Sequence, residues 1–104
     1  MGWAVSTQAN LRVHLLAVVV VLLLAIVLRF TLLEFVFLTL CFAMVIAAEL
    51  FNTAFEVLID HLHPEDHPRI GRAKDVSAAA VLVTAIGTGL AGILLFAHHL
   101  LGAP

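Results

Sequence analysis

The sequence predicts an all-α membrane protein with three transmembrane helices. Three observations carry that reading: 63% of the residues are hydrophobic and only 12% are charged, the apolar residues fall into three long segments, and half of the charges gather between the second and third. Soluble domains run about half apolar and about a quarter charged, so lipid rather than water is the main solvent of this chain.

At 104 residues there is room for one domain. Lipid can cover apolar surface that a small soluble domain would have to bury. Three helices enclose little polar surface, so charges inside the membrane call for shielding by further copies of the chain. The formal net charge is −2 and the five Lys and Arg residues form no run, which excludes a surface that tracks a phosphate backbone and with it nucleic acid as a partner. Cys41 is the single cysteine, so no internal disulfide can form, and its apolar neighbours mark a buried thiol.

Helix one is expected over about 13–28, where Leu15 to Leu28 are unbroken Leu, Val, Ala and Ile before Arg29. A basic residue before an apolar run also describes a secretory signal, but the chain continues into more membrane segment rather than into a cleavage site and a secreted domain. Helix two is expected over about 32–60, and the short turn Arg29-Phe30-Thr31 makes helices one and two antiparallel neighbours. Residues 61–75 hold two of the three prolines and many of the charges, which predicts a solvated loop. Helix three is expected over about 76–101, with Ala78, Ala79, Ala85 and Gly89 on the face of Asp75, small residues that allow close helix contact in lipid. Arg12, Arg69, Arg72 and Lys74 flank one side and Arg29 alone the other, so the positive-inside rule puts the amino terminus and the 61–75 loop in the cytoplasm.

Glu49, Asn52, Glu56 and Asp60 fall within a sector of roughly 80° on helix two, one polar stripe on an apolar helix. A charge at the centre of a membrane helix costs on the order of 3 kcal/mol, so these carboxylates need a partner, a cation or a wet cleft. Asp60 and Glu56 are near enough to the interface to be solvated. Glu49 lies about three turns inside Asp60, too deep for its short side chain to reach bulk water. Carboxylates and a carboxamide are hard oxygen donors that suit Mg²⁺ better than zinc. Gly71-Arg72-Ala73-Lys74-Asp75 adds cations and a carboxylate across the loop. Cation, metal ligands and a deep carboxylate are the parts phosphoryl transfer requires, because its catalysis is mainly positioning and charge neutralisation. Acids in membrane helices also serve proton- or cation-coupled transporters, the alternative reading of the stripe.

The run Glu49-Leu-Phe-Asn52-Thr53-Ala54-Phe-Glu56-Val-Leu-Ile-Asp60, with Gly71-Arg72-Ala73-Lys74-Asp75 and Ser77-Ala-Ala-Ala-Val81-Leu82 downstream, resembles the signature of the prokaryotic diacylglycerol kinase and undecaprenol kinase family. Asn10-Leu-Arg12-Val-His14 is similar to the family's approach to helix one, so the resemblance covers nearly the whole chain. It implies a homotrimeric enzyme of the bacterial inner membrane that transfers the γ-phosphoryl group of MgATP to the hydroxyl of a membrane lipid alcohol. By the same resemblance Glu49 is the general base, Asn52 shapes the site, and Glu56 binds the metal. Glu65, Asp66, His67, Lys74 and Asp75 meet the nucleotide, while Arg12 and Ala78 meet the lipid substrate. A deep carboxylate suits a base, because desolvation disfavours its ionised form.

Two features depart from the family. Met1 to Ala9 stand where the family has an amphipathic surface helix, and Gln8 stands where it has a metal-binding glutamate. There is no Walker-type glycine-rich loop, so the ATP site is not a P-loop. His61, His63 and His67 carry spacings that zinc uses, but the segment is a proline-broken loop without a fixed face and without a cysteine partner. Phe30, Phe35 and Phe37 read as lipid-facing or packing bulk, and His98 and His99 as markers of the outer interface.

Overall fold

The computed structural model describes residues 9–102. Three helices succeed one another: α1 over Ala9–Val27, α2 over Leu32–Leu62 and α3 over Pro68–Leu101. α2 packs against both α1 and α3, which barely touch one another. The bundle is 54 Å long, well beyond a hydrocarbon layer of about 30 Å, so its ends reach the headgroups and the water.

α2 and α3 are each long and apolar enough to cross a membrane, and α1 is a shorter apolar helix. Their surfaces match that solvent. Leu33, Phe51 and Leu101 are about four-fifths exposed, and few side chains are shielded within the chain: Leu11, Ala25, Phe30 and Leu38 among the apolar ones, Glu49 and Thr53 among the polar. The chain is a helical membrane protein whose apolar faces lie open to lipid or to neighbouring proteins.

The turn between α1 and α2 is built by its own hydrogen bonds. Arg29 has φ of 60°, and the Phe30 amide donates to the Ala25 carbonyl at 3.0 Å while the Arg29 amide donates to Ile26 at 3.1 Å. This is a Schellman ending, closed by the usual apolar contact because Phe30 and Ala25 share a buried cluster with Leu38. Thr31 then starts α2 with a capping box: its amide donates to Glu34 Oε1 at 2.8 Å, and its hydroxyl accepts from the Glu34 amide at 3.3 Å. Phe30 sits 4.6 Å from the Phe96 ring and 4.4 Å from that of His99, tying the turn to the end of α3. Phe30 and Phe35 are therefore packing residues, whereas Phe37 is exposed.

Three expectations change. α3 begins at Pro68 rather than near Val76, so Gly71 to Asp75 are helical and the loop shrinks to residues 63–67. The reason is local: His67 is extended and caps the helix, its Nδ1 accepting from the Arg69 amide at 3.1 Å, and Pro68 has the φ that a first helical residue needs. α1 also begins earlier, at Ala9. Finally, of the small residues expected to let α3 approach another helix, Ala85 is half-buried but Ala78, Ala79 and Gly89 are open. Ala78 and Ala79 are exposed, and a Cβ built on Gly89 would touch nothing within 4 Å.

Candidate active site

The polar stripe of α2 is used for contacts to both neighbouring helices. Nearest the loop, the Lys74 ammonium of α3 pairs with the Asp60 carboxylate. Deeper in, Ser77 Oγ of α3 donates to Asn52 Oδ1 at 2.7 Å, and Asn52 Nδ2 donates to Glu56 Oε1 at 3.4 Å. Deepest, Glu49 is 8% exposed, and its Oε1 lies 3.5 Å from Nε2 of His14 on α1. At 1.5 Å per residue these levels span about 16 Å of α2.

Each level has its physical reason. Asn52 offers one donor and one acceptor group, and both are engaged, so its orientation is fixed. Ser77 and Asn52 are both half-buried, where an unpaired amide would be costly. Lys74 and Asp60 stand at the wet end, where pairing needs little desolvation.

An apolar groove opens beside this ladder. It has a volume of about 350 Å³, with α2 residues such as Leu38, Phe42 and Ile46 between Val18 and Val21 of α1 and Ala85, Gly89 and Phe96 of α3. The separation of α1 from α3 and the missing side chains of Gly89 and Gly92 leave this space. His14 is the one ionisable imidazole on its wall. The groove therefore leads from the apolar body of the bundle to the neighbour of Glu49.

The expected site residues divide accordingly. Glu49, Asn52 and Glu56 lie together on α2, and Lys74 joins the same ladder through Asp60. Asp75 is exposed on the second turn of α3. Glu65, Asp66 and His67 are exposed in the loop and its cap. Arg12 and Ala78 are exposed, and neither lines the groove. Gln8 lies outside the described residues. His63 holds the loop in shape, its Nδ1 hydrogen-bonded to the Glu65 carbonyl at 2.9 Å, and its ring meets that of His67 edge-on. Among the described residues no cluster of three His, Cys, Asp or Glu side chains converges on one point.

Sequence reasoning missed Ser77 as a partner of Asn52 and His14 as the neighbour of Glu49. The first had a signal, because a serine two residues after the Lys74-Asp75 pair falls on the face of α3 that meets α2. The second joins residues 35 positions apart and depends on how α1 leans on α2.

A helical membrane protein with an apolar groove whose wall includes His14, a shielded carboxylate beside that histidine, and a ladder of hard oxygen donors and a cation leading to the loop, has parts that suit an enzyme acting on a lipid. Known proteins point the same way. The sequence matches the family Prokaryotic diacylglycerol kinase over residues 1–96, and the chain belongs to that family of membrane lipid kinases. It is similar to the undecaprenol kinase of Bacillus subtilis, 31% identical over 86% of this chain and 73% of the relative. It is also similar to the diacylglycerol kinases of Synechocystis, 33% identical over 88% of this chain and 53% of the relative, and of Escherichia coli, 36% identical over 54% and 46%. The chain thus spans about half the length of those two diacylglycerol kinases.

Proposed function

We propose that this protein phosphorylates a membrane lipid alcohol, diacylglycerol or undecaprenol, at the cytoplasmic face of a bacterial membrane with MgATP as donor. The observation that carries the reading is the shielded Glu49 beside His14, a residue of the apolar groove's wall. In this reading the apolar groove holds the lipid's hydrocarbon chain, and the lipid hydroxyl meets Glu49 beyond His14.

In this reading Glu49 is the general base. The proton of the lipid hydroxyl passes to its carboxylate, the hydroxyl oxygen bonds to the γ-phosphorus, and the bond from that phosphorus to the bridging oxygen breaks to release ADP. Asn52, held by Ser77 and by Glu56, keeps α2 and α3 in register beside the base. Glu56 is a half-buried carboxylate with one long amide contact, and it fits as a hard oxygen ligand for Mg²⁺ together with phosphate oxygens. When bound, Mg²⁺ neutralises phosphate charge. Gln8 would add a neutral oxygen. Lys74 and Asp75, with Glu65, Asp66 and His67 across the short loop, form the nucleotide side, and Arg12 and Ala78 border the lipid approach. Further copies of the chain, as a homotrimer, would cover the exposed polar residues of α3.

Incubating the purified protein with γ-labelled ATP, Mg²⁺ and each lipid alcohol in turn tests this reading. Label in the lipid product is expected and identifies the substrate. A folded protein that labels neither lipid contradicts it.

A further inference from the structure

Three hydroxyl groups in the apolar helices are spent locally. Thr39 donates to the Phe35 carbonyl, Thr84 to that of Ala80 and Thr88 to that of Thr84, each four residues back in its own helix. That bond satisfies a hydroxyl where water is scarce. Ser77 departs from the pattern. Its Oγ crosses from α3 to α2 and donates to Asn52 Oδ1 at 2.7 Å, a link between residues 25 positions apart.

The bond sets which way the Asn52 amide faces. With Oδ1 held by Ser77, Nδ2 is turned toward Glu56 Oε1, 3.4 Å away. The two contacts are unequal. A hydroxyl donor at 2.7 Å is at its optimum, whereas 3.4 Å is beyond the ordinary range of an amide donor, so Ser77 rather than Glu56 fixes the amide. An alanine at position 77 would take this donor from a half-buried carbonyl oxygen and leave the amide to turn about its last torsion, whose wells are broad.

Glu56 is the residue that gains from a fixed amide. It lies one turn from Asn52 and one turn from Asp60 on α2, between the two bridges to α3 that Ser77 and Lys74 make. We propose that Ser77 is a positioning residue for Glu56: through the Asn52 amide it steadies the carboxylate that the reading above gives to Mg²⁺. The inference rests on that reading and deepens it, because it makes the affinity of the metal site depend on a hydroxyl of α3 that acts only through Asn52. A ligand group ordered beforehand loses less freedom on binding, and affinity rises accordingly.

Two measurements on the full chain in bicelles test this. The first needs no activity. The chain has two asparagines, Asn10 and Asn52, so protein carrying isotope-labelled asparagine gives two side-chain amide groups in its NMR spectrum. The one that disappears in Asn52→Ala is that of Asn52. Ser77→Ala is expected to shift this signal and to speed its hydrogen exchange roughly fivefold, the factor that an intramolecular hydrogen bond ordinarily carries. Ser77→Thr, which keeps the hydroxyl, is expected to leave both as in the parent.

The second measurement is the Mg²⁺ concentration for half-maximal turnover of the lipid alcohol. Ser77→Ala is expected to raise it roughly fivefold, a loss that saturating Mg²⁺ overcomes. Ser77→Thr is expected to restore the parent's value. In an Asn52→Ala background Ser77→Ala is expected to add nothing, because both changes break one chain of contacts. An Asn52 signal that is the same in the parent and in Ser77→Ala overturns the inference whether or not any lipid is phosphorylated. So does a freed amide with the parent's Mg²⁺ curve, or a full effect of Ser77→Ala on top of Asn52→Ala, since either leaves Ser77 a bridge between helices and nothing more. A parent that phosphorylates no lipid alcohol sinks the kinase reading and this role with it.

Discussion

At the turn end of the bundle Glu34 and His99 form a closed set. His99 Nδ1 lies 2.8 Å and 3.0 Å from the two Glu34 oxygens, its Nε2 lies 2.7 Å from the Leu28 carbonyl, and Glu34 also accepts from the Thr31 amide. At the loop end, among the described residues, Glu49 has one polar side-chain contact, of 3.5 Å, and Glu56 one, of 3.4 Å. Both ends put carboxylates on α2, but only the first saturates them. A saturated carboxylate joins helices, here the start of α2, the end of α1 and the end of α3. An undersaturated one retains capacity for a proton, a metal or a substrate hydroxyl. The stiff turn end, with its capping box and the Phe30 cluster, also holds the helices that carry the open end.

The largest effect expected from breaking this contrast is at Glu49. Glu49→Gln keeps shape and removes the carboxylate proposed as the base, so turnover should fall by about 10² to 10⁴ with folding preserved, read by single-substrate kinetics beside circular dichroism. Next come Lys74→Ala and Glu56→Gln, for which roughly tenfold increases are expected in the KM for ATP and in the Mg²⁺ concentration for half-maximal rate, respectively. Titrations that overlay those of the parent would remove these residues from the nucleotide and metal sites. At the turn end, Glu34→Gln takes the charge from the His99 clasp and should lower the unfolding temperature in detergent by several degrees while leaving the KM for ATP unchanged. The smallest effect is Arg29→Gly. It relieves the left-handed conformation at the Schellman position and should stabilise the protein by about 1 kcal/mol, measured as a shift in the unfolding midpoint.

The same contrast explains what the sequence disclosed. The stripe from Glu49 to Asp60 was legible because it lies on one helix and its spacing alone fixes its face. The segments of α1 and α2 were legible because apolar runs end at Arg29 and near Asp60. The start of α3 was obscured because its first turns project beyond the bilayer, where a helix has no need to be apolar. The signal at that point was the His67-Pro68 pair, a capping residue followed by the residue that best opens a helix. Thr31 and Glu34 likewise spell a capping box in sequence. Their link to His99 spans 65 residues and depends on where α3 ends against α1, which no local pattern encodes. The pairing of His14 with Glu49 was hidden for the same reason.

If the two ends of the bundle divide chemistry from stability, turnover and thermal unfolding measured side by side on Glu49→Gln and Glu34→Gln must give a crossed result. Glu49→Gln is expected to lose turnover and keep the parent's unfolding temperature, while Glu34→Gln unfolds earlier and, assayed well below its transition, keeps the parent's turnover. Glu49→Gln retaining full turnover, or Glu34→Gln losing turnover while folded, would contradict that division.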